Sequence, residues 1–191
     1  MFPQTRQYRL SSQRLRASTT RDLQAAWPLL EGTQMDATYP RWVGLTAALV
    51  GRDRAAATVL AAEYLASLDG RMRIVPPPPL GVEQFDTSMR VTSVVSVKRS
   101  MVAGKTVEQA MADAFVLSVG AATRMVMNAG RQTVMQSAVA SPQCEGWQRV
   151  TSGGCSFCIM LAGRGSVYSE ATADFQSHDH CMCSAEPVFD R

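Results

Sequence analysis

Apolar residues recur at helical spacing along most of this chain. Residues 4–30 carry Tyr8, Leu10, Leu15, Leu23, Ala26, Trp27 and Leu30 on a loose three-and-four repeat, with Pro28 and Gly32 marking its end. A second long helix is predicted over 41–68, from Trp42 through Leu45, Leu49, Leu60, Tyr64 and Leu68 to a stop at Gly70. Its alanine-rich part, 54–62, combines high helix propensity with a small profile, so neighbouring helices can pack closely there.

The run Pro76, Pro77, Pro78 and Pro79 fits neither a helix interior nor a central strand and is expected to form a stiff polyproline linker. Residues 82–103 are ambiguous. Val91, Val94, Val95 and Val97 favour a strand, while Met89, Val94, Val97 and Met101 recur at near-helical spacing. We read a helix that ends before Gly104. Thr106, followed by Glu108 and Gln109, is an N-cap for the next helix, which carries Ala110, Met111, Ala114, Phe115, Val119, Met125 and Met127 up to Gly130. A short helix over 132–140 follows and stops before Ser141 and Pro142. The methionines read as core filling.

Near residue 144 the pattern changes. Residues 147–150 look like a short strand, Gly153 and Gly154 like a tight turn, and 161–165 like the end of a short helical piece. Val167 and Tyr168 suggest another strand and 185–189 a last one. The fold expected is mainly α: a multi-helix region over 1–142, then a small α+β metal-binding module over 143–191.

Composition sharpens this picture. With 191 residues, 46% apolar and 18% charged, the chain can bury a core, and its formal charge of +3 names no partner class. The distribution says more: Arg6, Arg9, Arg14, Arg16 and Arg21 fall in a first segment without Asp or Glu. Such a segment suits a phosphate backbone or an acidic protein surface, or forms a solvated helix face. No uninterrupted apolar run approaches the ~18 residues of a membrane span, and the opening residues lack the apolar stretch of a secretory signal. Cysteines in a reducing cytosol favour metal ligation over disulfides.

Four of the five cysteines and both histidines lie from residue 155 onward: Cys155 and Cys158, then His178, His180, Cys181 and Cys183. A Cys-x-x-Cys knuckle aims two thiolates at one ion, and the glycines ahead of it supply the backbone freedom it needs. Cys181 and Cys183 point the same way on extended backbone. Five groups, Cys155, Cys158, His178, Cys181 and Cys183, compete for about four places on a structural Zn2+. Both cysteines of the knuckle, His178 and one or both of the last cysteines are the first choice. His180 falls outside the shared spacing and reads as a surface or supporting residue; Cys144 is the outlier.

The pattern argues against catalysis. A zinc deaminase needs His-x-Glu ahead of its cysteine pair, and a zincin needs His-Glu-x-x-His. Neither is present, nor is a Gly-rich phosphate loop or a nucleophile elbow. Residues 147–150, Cys155 to Cys158, 161–165, 167–169, His178 to Cys183 and 186–189 resemble the MuF-like minor capsid, or head morphogenesis, proteins of tailed bacteriophages, in their actinobacteriophage form. That resemblance implies a non-enzymatic virion protein made in the host cytoplasm and placed inside the head near the portal. Its partners would be the portal protein, scaffold or major capsid protein and packaged DNA, with a part in DNA packaging or ejection. A zinc-containing nucleic-acid-binding protein is the alternative, and a hydrolase acting through His178 or His180 the third reading.

Overall fold

The computed structural model describes residues 2–151, 156–165, 175 and 177–190. The chain is mainly helical. Its elements are α1 (Pro3–Ala26), a 3-10 turn at Trp27–Leu29, α2 (Met35–Leu68), α3 (Val82–Arg90), α4 (Ser96–Val102), α5 (Val107–Ala140), β1 (Cys144–Val150), α6 (Ser156–Ala162) and β2 (Ser184–Phe189). The strand read at 167–168 lies outside the described residues.

α5 is the axis of the molecule. Thr106 caps it as the sequence predicts: its hydroxyl accepts from the Gln109 amide, and the Gln109 side chain answers to the Thr106 amide. The expected break at Gly130 is absent, and α5 runs unbroken to Ala140. Gly130 is a packing point instead of a stop. A Cβ there would lie 2.7 Å from the Tyr8 hydroxyl and 3.1 Å from the Ala57 carbonyl, so α1 and α2 close onto α5 because Gly130 has no side chain. α5 is also long and apolar enough to cross a membrane by length and composition, yet 61% of its most apolar window is buried in the core.

α2 starts at Met35, ahead of the start expected beyond Pro40. Proline near a helix start forfeits a backbone bond. Here the loss is offset by burial of Met35, Tyr39 and Trp42. The ambiguous stretch is helical, but it contains a π-turn at Val91–Val95 between α3 and α4. The extra residue in that turn rotates the later positions by about one residue, so Phe85, Met89, Val94 and Val97 are all buried on one side. Trp27 meets Trp42 edge-to-face and Phe115 at a tilt, with centroids 5.4 and 5.3 Å away, and the Arg90 guanidinium caps the Tyr39 ring at 4.3 Å.

The proline run is strapped down. Arg54 donates to the Pro78 carbonyl at 3.0 Å and the Met125 carbonyl at 2.9 Å, while the amides of Arg73 and Val75 donate to Ser141 and Ser137 of α5 and its end.

β1 and β2 pair antiparallel, with Trp147 opposite Pro187 and Gln148 opposite Glu186. They lie on α5, and one buried cluster joins Trp147, Cys181, Cys183 and Ala185 to Tyr8, Tyr64, Leu65 and Val134. The start of α1 is capped from this sheet. Glu186, 1% exposed, accepts from the Phe2 amide (3.1 Å), the Thr5 hydroxyl and Gln148 Nε2 (2.8 Å). α1 has no side-chain cap of its own, so the Glu186 carboxylate meets the positive end of its dipole.

Candidate metal centre

Cys158 lies in the middle of α6, a short helix that buries Cys158 and Leu161. His178, Cys181 and Cys183 lie on the segment that leads into β2. Folding brings Cys158, His178 and Cys181 together, with one donor atom from each inside a span of 4.8 Å. Cys158 Sγ is 3.4 Å from His178 Nε2 and 3.8 Å from Cys181 Sγ. Two ligands on a tetrahedral zinc, with Zn–S of ~2.3 Å and Zn–N of ~2.0 Å, sit about 3.8 Å apart for sulfur–sulfur and about 3.5 Å for sulfur–nitrogen. The donor atoms therefore fit one tetrahedral ion. His178 Nδ1 lies 2.6 Å from the Asp179 carbonyl. A carbonyl only accepts, so Nδ1 carries the proton and the Nε2 lone pair faces the sulfurs, which is the tautomer a metal needs.

Cys183 lies outside that three-donor group, but its sulfur interacts with those of Cys181 and Cys158. Hydrogen bonding from Cys181 holds the Cys183 thiol down to about 4, with help from Thr151, Cys158 and Arg149 against the opposing effect of burial. Cys181 moves up, first through that same bond and then through burial. Both shifts have the same first cause, the hydrogen bond between the two sulfurs. Zinc takes cysteine as thiolate, so binding would release the protons these sulfurs carry. Cys155, the other half of the knuckle, lies outside the described residues.

The segment is held by residues that no spacing rule singled out. Arg131 of α5, 4% exposed, donates through Nη2 to the Cys181 carbonyl at 2.8 Å and through Nε to the Cys183 carbonyl at 3.0 Å. Its Nη1 donates to Asn128 Oδ1 at 2.8 Å, and Ser177 donates to the same oxygen at 2.9 Å. Phe175 lies under the Arg149 guanidinium, 3.8 Å from its ring centre, and stacks on Trp147 at 5.7 Å. The one available signal was two polar residues, Asn128 and Arg131, a helical turn apart in an apolar helix.

His180 is not in that three-donor group. It is exposed, and its φ of 62° turns the chain back over α5. Gly120 admits that turn, since a Cβ there would lie 2.8 Å from His180 Nε2. Asp179 pairs with Arg124 at 2.7 Å.

The arginines of α1 do not form one face. Arg6, Arg14 and Arg21 are exposed, whereas Arg9 is buried and Arg16 half-buried. Arg16 Nη1 donates to the His180 carbonyl at 3.2 Å and Nη2 lies 3.1 Å from His180 Nδ1, so this residue serves the tail.

Comparison with known families decides the kinship of the chain: the model of the VG15 protein family matches residues 3–191. The chain belongs to the VG15 protein family. That family is one of phage gene proteins. The VG15 match extends over the helices as well as the cysteine-bearing tail, so both parts carry the relationship. No curated protein and no solved structure matches the chain.

Proposed function

We propose that this VG15 protein is a minor structural component of a tailed phage head, of MuF-like type, whose tail is fastened by one zinc ion. In this reading the ion is held by Cys158, His178 and Cys181, together with Cys183 or Cys155. The observation that carries the metal is the spacing of the Cys158, His178 and Cys181 donor atoms, which matches one tetrahedral ion. Family membership supports the phage setting, and the residues of the tail support the head-morphogenesis type.

The role is structural, not enzymatic. A site with three or four thiolate and imidazole ligands is closed, and its binding energy goes into folding. Zinc here would fix α6 and the 178–183 segment against β2 and α5, presenting a finished surface to portal, scaffold or major capsid protein inside the head. The exposed arginines Arg6, Arg14 and Arg21 favour the second reading, a zinc-containing nucleic-acid-binding protein, and serve equally for packaged DNA in the first.

Metal analysis by mass spectrometry tests the centre. The purified chain is expected to hold one equivalent of zinc, and Cys158→Ser is expected to lose it. Cys183→Ser loses it too if Cys183 is the fourth ligand and retains it if Cys155 is. A metal-free wild type sinks the centre. For the head assignment, proteomics of purified particles is expected to find the chain in the virion, and phage carrying a disrupted gene are expected to give defective heads. Normal infectious particles without the chain would overturn the assignment.

A further inference from the structure

Arg131 carries a full positive charge into the core, where its side chain is 4% exposed. A guanidinium stays charged at any pH a protein meets, so its burial is severely destabilising unless a counter-charge offsets it. All three of its nitrogens donate, but to neutral oxygens: the carbonyls of Cys181 and Cys183 and the side-chain carbonyl of Asn128. Those bonds satisfy the donors and leave the net charge standing. The Phe175 ring, 5.1 Å from the guanidinium, adds only the partial charge of its π face.

Among the described residues, no carboxylate forms an ion pair with Arg131. Arg52, Arg71, Arg90, Lys98, Lys105 and Arg124, all closer to solvent, each pair with an Asp. The carbonyls that Arg131 holds belong instead to two candidate zinc ligands. A zinc ion with three thiolates and one neutral imidazole carries a single net negative charge, whereas one with two thiolates carries none.

We propose that Arg131 is a positioning residue and the counter-ion of a three-thiolate zinc centre, its buried charge balanced by the loaded site. This role rests on the zinc reading above and adds the charge that the site carries. Arg149, the buried guanidinium of β1, hydrogen-bonds the Cys183 sulfur itself, so a variant there would disturb a candidate ligand directly. Arg131 bonds to ligand carbonyls, and replacing it removes charge without removing a sulfur contact.

Zinc affinity of the full chain, measured by competition with a chromophoric chelator at fixed pH and ionic strength, tests this. Arg131→Gln removes the charge and keeps a side chain that can donate to a carbonyl. Arg131→Lys keeps the charge and loses the planar fork. Arg131→Gln is expected to weaken zinc binding by about 10–100-fold, the usual effect of losing a residue that supports metal ligands, and Arg131→Lys to restore most of it. Wild-type affinity in Arg131→Gln, or equal loss in both variants, overturns the counter-ion role while leaving the metal centre intact. A wild type that binds no zinc removes the centre and the role together. A second measurement needs no variant: in the cobalt-substituted wild type, sulfur-to-metal charge-transfer absorption counts the thiolates. Three are expected; two would make the centre neutral and overturn the role even with metal bound.

Discussion

Cys144 and Cys183 are both cysteines of the tail, yet their surroundings drive them in opposite directions. Hydrogen bonds within the sulfur cluster hold Cys183 down, while burial, reinforced by Asp190 and Asp69, pushes Cys144 up to about 11. The thiolate is the nucleophile, so a raised value means that Cys144 stays a neutral thiol at pH 7 and becomes reactive only as pH climbs toward that value. Alkylation read by peptide mass spectrometry should leave Cys144 almost unlabelled at neutral pH, with its rate rising about tenfold per pH unit below its titration point. Rapid labelling at pH 7 would contradict its placement. Candidate donors are legible in a sequence because one ion would force a narrow set of spacings. Arg131 is not, because the carbonyls it holds belong to residues 50 and 52 positions further along the chain.

Glycines show what decides the behaviour of a helix element. Gly51 in α2 and Gly130 in α5 look alike in sequence, each an interruption in a helical pattern. A Cβ at Gly51 meets nothing within 4 Å, whereas one at Gly130 meets Tyr8 and Ala57. Gly51→Ala is therefore expected to stabilise the fold by up to about 1 kcal/mol through helix propensity alone. Gly130→Ala is expected to destabilise it by about 1–3 kcal/mol, because three helices would have to move apart. Urea unfolding of the two variants side by side checks both signs. The π-turn follows the same logic. Periodicity from Met89 to Met101 signalled a helix, but the extra residue at Val91–Val95 is chosen by the need to bury Val94 and Val97 together.

Across the whole molecule, the tail and the helices complete each other. Trp147, 1% exposed, lies in the same cluster as Tyr8, Tyr64 and Leu65, and Glu186 supplies the cap that α1 lacks. Cutting the chain after residue 142 would remove both. Loss of one large buried aromatic alone costs about 3–5 kcal/mol, so the truncated chain should unfold at a much lower urea concentration than the full one. An unchanged midpoint would show that the helices stand without the sheet.

What the sequence determined by itself is local. Helical periodicity, the Thr106 cap, the two strands and the candidate donors Cys155, Cys158, His178, Cys181 and Cys183 are all read from local spacing in the chain. The tertiary structure decided everything that depends on distant partners. It joined α5 through Gly130, buried Arg9 while leaving Arg6, Arg14 and Arg21 in solvent, and placed Arg131 and Glu186 where they hold the tail and α1. The physical reason is that a spacing rule records geometry within one element. Close approach, charge burial and capping in trans depend on which elements meet.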